Sequence, residues 1–138
     1  SRLVANFSAD ALSKVISELP KSYDVVILDL PGSLSQPLSM ALSVSQLVIV
    51  PVRNNLHSLR DYLQIKSISA GVEVKALAIG TNVLIAEAEL IDEPILESNE
   101  LETAAATKVS ILTHGKESES AESFRNVGYS ILEKLGLE

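Results

Sequence analysis

Apolar and polar residues along this chain follow two different rhythms. From Ser8 onward, Leu12, Val15, Ile16 and Leu19 recur at the three- and four-residue spacing of one helical stripe, with Ser8 placed to cap the helix and Pro20 to stop it. Three other stretches do not alternate. Val25-Val26-Ile27-Leu28, Leu47 to Val52 and Val74 to Ile79 are continuous aliphatic runs, the pattern of strands covered on both faces in a parallel sheet. Pro37 with Leu38, Ala41 and Leu42 reads as a short helix. Ser58 is placed to cap a helix that turns Leu59, Tyr62, Leu63 and Ile68 inward and ends at Gly71. Leu101 to Ala106 predicts an Ala-rich helix and Val109 to Leu112 a short last strand. Ser118 or Ser120 then caps a final helix with Ala121, Phe124, Val127, Ile131, Leu132 and Leu135 on one face, closed by Gly136. Arg2 to Phe7 is a candidate opening strand, and Ala86 to Leu90 is a candidate helix. Alternating elements predict one α/β domain over residues 1–138, a doubly wound, mostly parallel sheet flanked by helices.

The first aliphatic run organises the rest. Tyr23 to Gly32 reads YDVVILDLPG, so Asp29 stands at the end of the run, before Leu30-Pro31-Gly32 breaks it. In an open α/β sheet this delivers a carboxylate to the carboxyl edge, where ligands bind. A core strand whose terminal Asp caps the next turn reads equally well. Arg53-Asn54-Asn55 and Gly80-Thr81-Asn82 leave the later strands toward that same edge; Arg53 itself reads as a solvated loop residue.

YDVVILDLPG, the Ala41-Leu42 pair, QLVIVPV (Gln46 to Val52) and Ser58-Leu59 resemble the ParA/MinD family of P-loop ATPases. The likeness continues at Gly80-Thr81-Asn82, Pro94, Ser120-Ala121 and Phe124-Arg125, and it covers the family's second half only. It implies a P-loop NTPase-like fold, here incomplete, and a strand near Leu90-Ile91 running into Pro94. Asp29 would be the Walker B carboxylate, holding Mg²⁺ through a water. Leu30, Pro31 and Gly32 would form the switch that senses the γ-phosphate, with the polar loop Ser33 to Gln36 behind it; Gly32 lets a backbone N–H approach an oxyanion. Asn82 would contact adenine, since an amide both donates to and accepts from a purine edge. Pro94 would sit in the loop against the base. Asn82 as a turn residue and Pro94 as a plain loop proline remain open.

No Gly-rich Lys-Ser/Thr loop occurs in the sequence. Such loops cradle phosphates with backbone N–H groups and neutralise them with a Lys, so an Asp and an Asn alone cannot hold a triphosphate. The chain by itself is therefore expected not to hydrolyse ATP, although ATP and Mg²⁺ are the family's cofactors. In the family, the strand leading into that loop lies between the Walker B strand and the one matching Leu47 to Val52. Without it, those two strands pair directly or the sheet keeps an unfilled slot, an exposed edge for a partner or second copy. A cut ATPase, a shortened relative and one part of a split enzyme all fit; the early first strand favours truncation.

Charge and composition narrow the partners. A net charge of −7 and a pI near 4.8 argue against a nucleic-acid surface or an anionic membrane. With no cysteine, disulfides and thiolate chemistry are excluded, and His57 and His114 stand too far apart to suggest a metal cluster. The absence of a long apolar run or signal segment makes a cytoplasmic protein the default. The final helix, with only Arg125 and Lys134 for cations, is not a basic membrane anchor. The expectation is a portion of a ParA/MinD-like ATPase that serves partitioning or positioning of a plasmid, chromosome, division site, pilus or flagellum. Its expected partners are a second copy in a homodimer, the missing N-terminal portion, or a protein. The alternative is a non-enzymatic, degenerate ATPase-like module that binds a protein partner. A flavodoxin-like or Rossmann-like domain fits less well, because no Gly-rich βα turn is present.

Overall fold

The computed structural model describes residues 8–30, 36–69 and 71–137. Within them the order is α1 (Ala9–Ser17), α2 (Gln36–Val44), β1 (Leu47–Val52), α3 (Leu56–Ile68), β2 (Glu73–Ala78), a 3₁₀ turn (Glu87–Glu89), α4 (Asn99–Thr107) and α5 (Glu119–Lys134). The expected strand at Arg2 to Phe7 and the switch residues Pro31, Gly32 and Ser33 to Ser35 lie outside the described residues.

β1 and β2 pair in parallel, with Leu47 opposite Glu73 and Val52 opposite Ala78, and α3 is their crossover. Parallel neighbours need such a long connection, and a helix supplies it. The two faces of the strands bury different partners. Val50, Val52 and Ala76 pack with Leu38 and Leu42 of α2 and with Tyr62 and Ile65 of α3. Ile49, Leu77 and Ile79 pack with Ile91, Ile95 and, from α5, Val127, Phe124 and Ile131. Coverage on both faces explains why both runs are apolar without alternation. A smaller cluster of Ala104, Ile111 and Ala121, with Leu101 and Phe124 packed against it, joins α4 to α5.

Caps set most helix boundaries. Ser8 Oγ accepts from the Ala11 N–H and Ser118 Oγ from the Ala121 N–H, as their positions predicted. α3 is different: Asn55, not Ser58, is its cap, accepting from the Ser58 N–H at 2.8 Å. The Ser58 hydroxyl instead accepts from the Arg53 N–H at 2.8 Å and ties the end of β1 to the helix. On α3 the inward positions are Tyr62 and Ile65, with Leu59 partly buried against the same core, whereas Leu63 and Ile68 are 60% and 46% exposed.

Several expectations are corrected. The run 24–29 is not a strand: Val25, Val26 and Ile27 are 36%, 44% and 85% exposed, and no ladder includes them. A strand needs a neighbour for its N–H and C=O groups, and among the described residues none lies beside this run. A doubly wound sheet is accordingly not what the described residues form; they form a two-stranded parallel sheet with five α-helices. The expected strand near Leu90-Ile91 is reduced to single parallel bridges, Leu90 to Ala76 and Ile95 to Ile79. Pro94, which has no N–H to donate, and the bends at 91–93 interrupt pairing between them. Val109 to Leu112 forms turns: Ser110 accepts from the Thr113 and His114 N–H groups, satisfying locally what a ladder would otherwise satisfy.

Candidate functional site

Because the strands are parallel, their carboxyl ends share one rim. β1 exits into Arg53-Asn54-Asn55 and β2 into Ile79-Gly80, while Ile95, bridged to Ile79, exits into Leu96-Glu97-Ser98. Gly80 turns the chain with φ of +82° while its N–H donates to the Ile95 carbonyl at 2.8 Å. A side chain is disfavoured at that φ, so glycine is required there by conformation. Asn82 also has positive φ, +61°, a region that Asn enters more readily than most residues.

Two helix starts sit on the rim. α3 begins at Leu56 with no acid in its first turn; α4 begins at Asn99, capped by Ser98 and followed by Glu100 and Glu102. α5 is locked to the same rim by Ser120, fully buried, whose hydroxyl donates to the Leu96 carbonyl and lies 2.7 Å from Ser98 Oγ. In the sequence Ser120 reads as a possible cap and as part of the Ser120-Ala121 likeness; in the structure it forms this cross-link.

Arg53 bridges the rim. Its guanidinium donates to Glu97 Oε1 at 2.5 Å, 44 residues away, which replaces the expected free loop arginine. Both side chains remain more than half exposed. Exposed pairs contribute little, so Arg53→Gln or Glu97→Gln is expected to change unfolding free energy by less than about 1 kcal/mol in urea titrations. No local motif announces Glu97; only the pairing of Ile79 with Ile95 brings it to Arg53.

A second polar cluster pins the 3₁₀ turn. Tyr62 donates from its hydroxyl to Glu89 Oε1 at 3.0 Å, Lys66 pairs with the same oxygen, and Lys75 donates to the Ala88 carbonyl at 2.7 Å. Burial, then the hydrogen bond and charge of Glu89, push the Tyr62 phenol up to about 12. Hydrogen bonds from Lys66 and then Tyr62 hold the Glu89 carboxyl below its ordinary value.

The site residues read from sequence do not converge. Asp29 is exposed in coil, although its neighbour Leu30 packs against the α2–α3 face of the core. No hydrogen bond or ion pair joins Asp29 to Arg53, Asn82 or Pro94 among the described residues. Gly32 lies outside those residues. Asn82 and Pro94 flank the Ile79–Ile95 bridge, so these two do come to neighbouring segments. Pro94 also lines a cleft of about 250 Å³ with Asp92, Glu93, Leu96 and the first turns of α5. No group of three carboxylate or imidazole side chains suited to a metal stands together among the described residues, and none of their helices is long and apolar enough to cross a membrane.

Compared with known families, residues 3–79 match the model described as an AAA domain, a span of more than half the chain that takes in α1, α2 and the whole β1–α3–β2 unit. No curated protein and no solved structure matches the chain.

Proposed function

The chain belongs to the AAA domain family, a P-loop NTPase-like group, and from that premise we propose that it is a portion of a ParA/MinD-type ATPase serving intracellular partitioning or positioning. The observation that carries this reading is the β1–α3–β2 unit inside the matched span, which sends Arg53–Asn55 and Gly80–Asn82 to one carboxyl rim. Rims of this kind are where α/β folds take up nucleotides. Asn82 and Pro94, on neighbouring segments, are assigned to the purine, whereas Asp29 and Gly32 are assigned to the Mg²⁺ and γ-phosphate side.

The phosphate-binding loop is assigned to residues outside these 138, because the sequence contains no Gly-rich Lys-Ser/Thr element. Asp29, one carboxylate in exposed coil, does not by itself fit a Mg²⁺ ion, which takes six oxygen ligands in octahedral order. No catalytic step is derived through that ion. What the chain's own residues supply is the rim, the two turns on it and the Arg53–Glu97 pair across it.

Calorimetric titration tests the assignment. Mg-ATP added to the chain is expected to give no binding heat at micromolar concentrations. Adding a polypeptide that carries a strand and a Gly-rich Lys-Ser/Thr loop is expected to restore binding. In that completed protein, Asp29→Ala should abolish Mg-dependent hydrolysis with the circular dichroism spectrum unchanged. Micromolar binding by the 138 residues alone, or full hydrolysis after Asp29→Ala, refutes it.

A further inference from the structure

We infer that residues 81–89 form a strap across the α2–α3 face of the core, fastened by one latch at Glu89 and able to open while the sheet stays closed. The strap begins where β2 ends. Leu90 bridges Ala76 in parallel, so the chain leaves the carboxyl rim at Gly80 and returns to a point beside the middle of β2. Val83 and Ile85 turn inward against the cluster of Val50, Val52, Tyr62 and Ile65, whereas Leu84 and Ala86 face out. That contact is shallow, since both inward side chains are only half-buried.

The backbone adds little hold. Among the described residues, the backbone hydrogen bonds of 81–89 are local: the Ile85 N–H donates to the Val83 carbonyl, and the Glu89 and Leu90 N–H groups donate to the Ala86 and Glu87 carbonyls. The near end turns through two left-handed residues, Gly80 and Asn82, and no hydrogen bond holds Thr81 or Asn82 among the described residues. What fastens the strap lies at its far end. Tyr62 donates to Glu89 Oε1 at 3.0 Å, and Lys66 pairs with the same oxygen from a place 6.0 Å from the centre of the Tyr62 ring. Lys75 of β2 donates to the neighbouring Ala88 carbonyl at 2.7 Å. Lys66 and Lys75 are the cations that act on Glu89, and Glu87 is the other acid on the turn. Segments with few buried contacts and only local hydrogen bonds open at low free energy, so removing the latch frees the strap before it loosens the sheet. Asn82 lies within the strap, so the latch also fixes where that amide stands on the rim; the inference rests on this geometry and not on the nucleotide reading.

Amide exchange at neutral pH, without nucleotide, tests the latch. In Lys66→Gln the Glu89 and Leu90 N–H groups are expected to exchange at least about threefold faster, the scale of a half-exposed ion pair. The Ile79 and Ile95 N–H groups, which donate to the Val52 and Ala78 carbonyls, are expected to keep their rates. A smaller gain at Glu89 and Leu90 overturns the strap. So does an equal gain at all four amides, which would make the cluster a prop for the whole fold. Glu89→Gln is expected to give the same pattern and decides the point should Lys66→Gln fail to fold. The double variant is expected to exchange no faster than the quicker single one, because both substitutions remove one interaction. Additive gains overturn the latch.

Discussion

Tyr62→Ala is expected to cost about 3–5 kcal/mol of folding stability, the range for removing a buried aromatic ring. Tyr62 is 2% exposed and stands where α3, β1 and β2 meet, against Val50, Val52 and Ala76. Tyr62→Phe separates ring from hydroxyl. It keeps the packing and removes only the bond to Glu89, which retains Lys66, so about 1 kcal/mol should be lost. The phenol also sets an alkaline limit. Its folded value, about 12, lies above the 10.0 of a free tyrosine, so its stabilisation is complete below pH 10 and is lost as pH rises from 10 to 12. That loss is on the order of 2–3 kcal/mol, since each unit corresponds to about 1.4 kcal/mol. Glu89 works the other way: its value is lowered, so its contribution is present above the ordinary carboxylate range and fades as pH falls below it. Urea midpoints between pH 9 and 12 for the parent and Tyr62→Phe check the claim. A parallel decline in both proteins would remove the phenol as the cause.

Where the sequence was legible, the determinants were local. The stripe from Leu12 to Leu19 with Ser8 before it, and Ala121, Phe124 and Val127 behind Ser118, each specify a capped helix without distant partners. β1 and β2 were legible for another reason: covered on both faces, their side chains leave an unbroken aliphatic record. Val25–Leu28 has the same record, yet it forms no strand here, because a strand also needs a hydrogen-bonding neighbour that composition cannot specify. Asp29 follows from that miss, since a strand end delivers its carboxylate to the rim only if the strand exists. Leu63 and Ile68 show the limit on helices. Both were read as inward with Leu59 and Tyr62, but the orientation of α3 against β1 exposes them and puts Ile65 inside instead. The Arg53–Glu97 and Tyr62–Glu89 contacts are products of tertiary register, and no short-range pattern encodes them.

Ile95→Ala should cost about 3 kcal/mol, within the range of roughly 2–5 for truncating a buried isoleucine, and lower the melting temperature by roughly 10 °C. Ile95 is 1% exposed, and it does two jobs at one position. Its side chain fills the cluster of Ile91, Val127, Leu77 and Ile79 beneath α5. Its backbone donates to the Ala78 carbonyl and accepts from the Gly80 N–H, so it is also the third position across the rim. Alanine keeps the backbone bonds and removes only the packing, leaving a cavity between β2 and α5. The expected consequence is therefore lower stability with the rim still formed. Leu84→Ala, at a position 79% exposed, should change stability by less than about 0.5 kcal/mol and serves as the control. Thermal and urea unfolding of the two variants decides the point. A loss below about 1 kcal/mol for Ile95→Ala would mean that α5 is not seated on β2 through this residue, and the covered second face of the sheet would have to be abandoned.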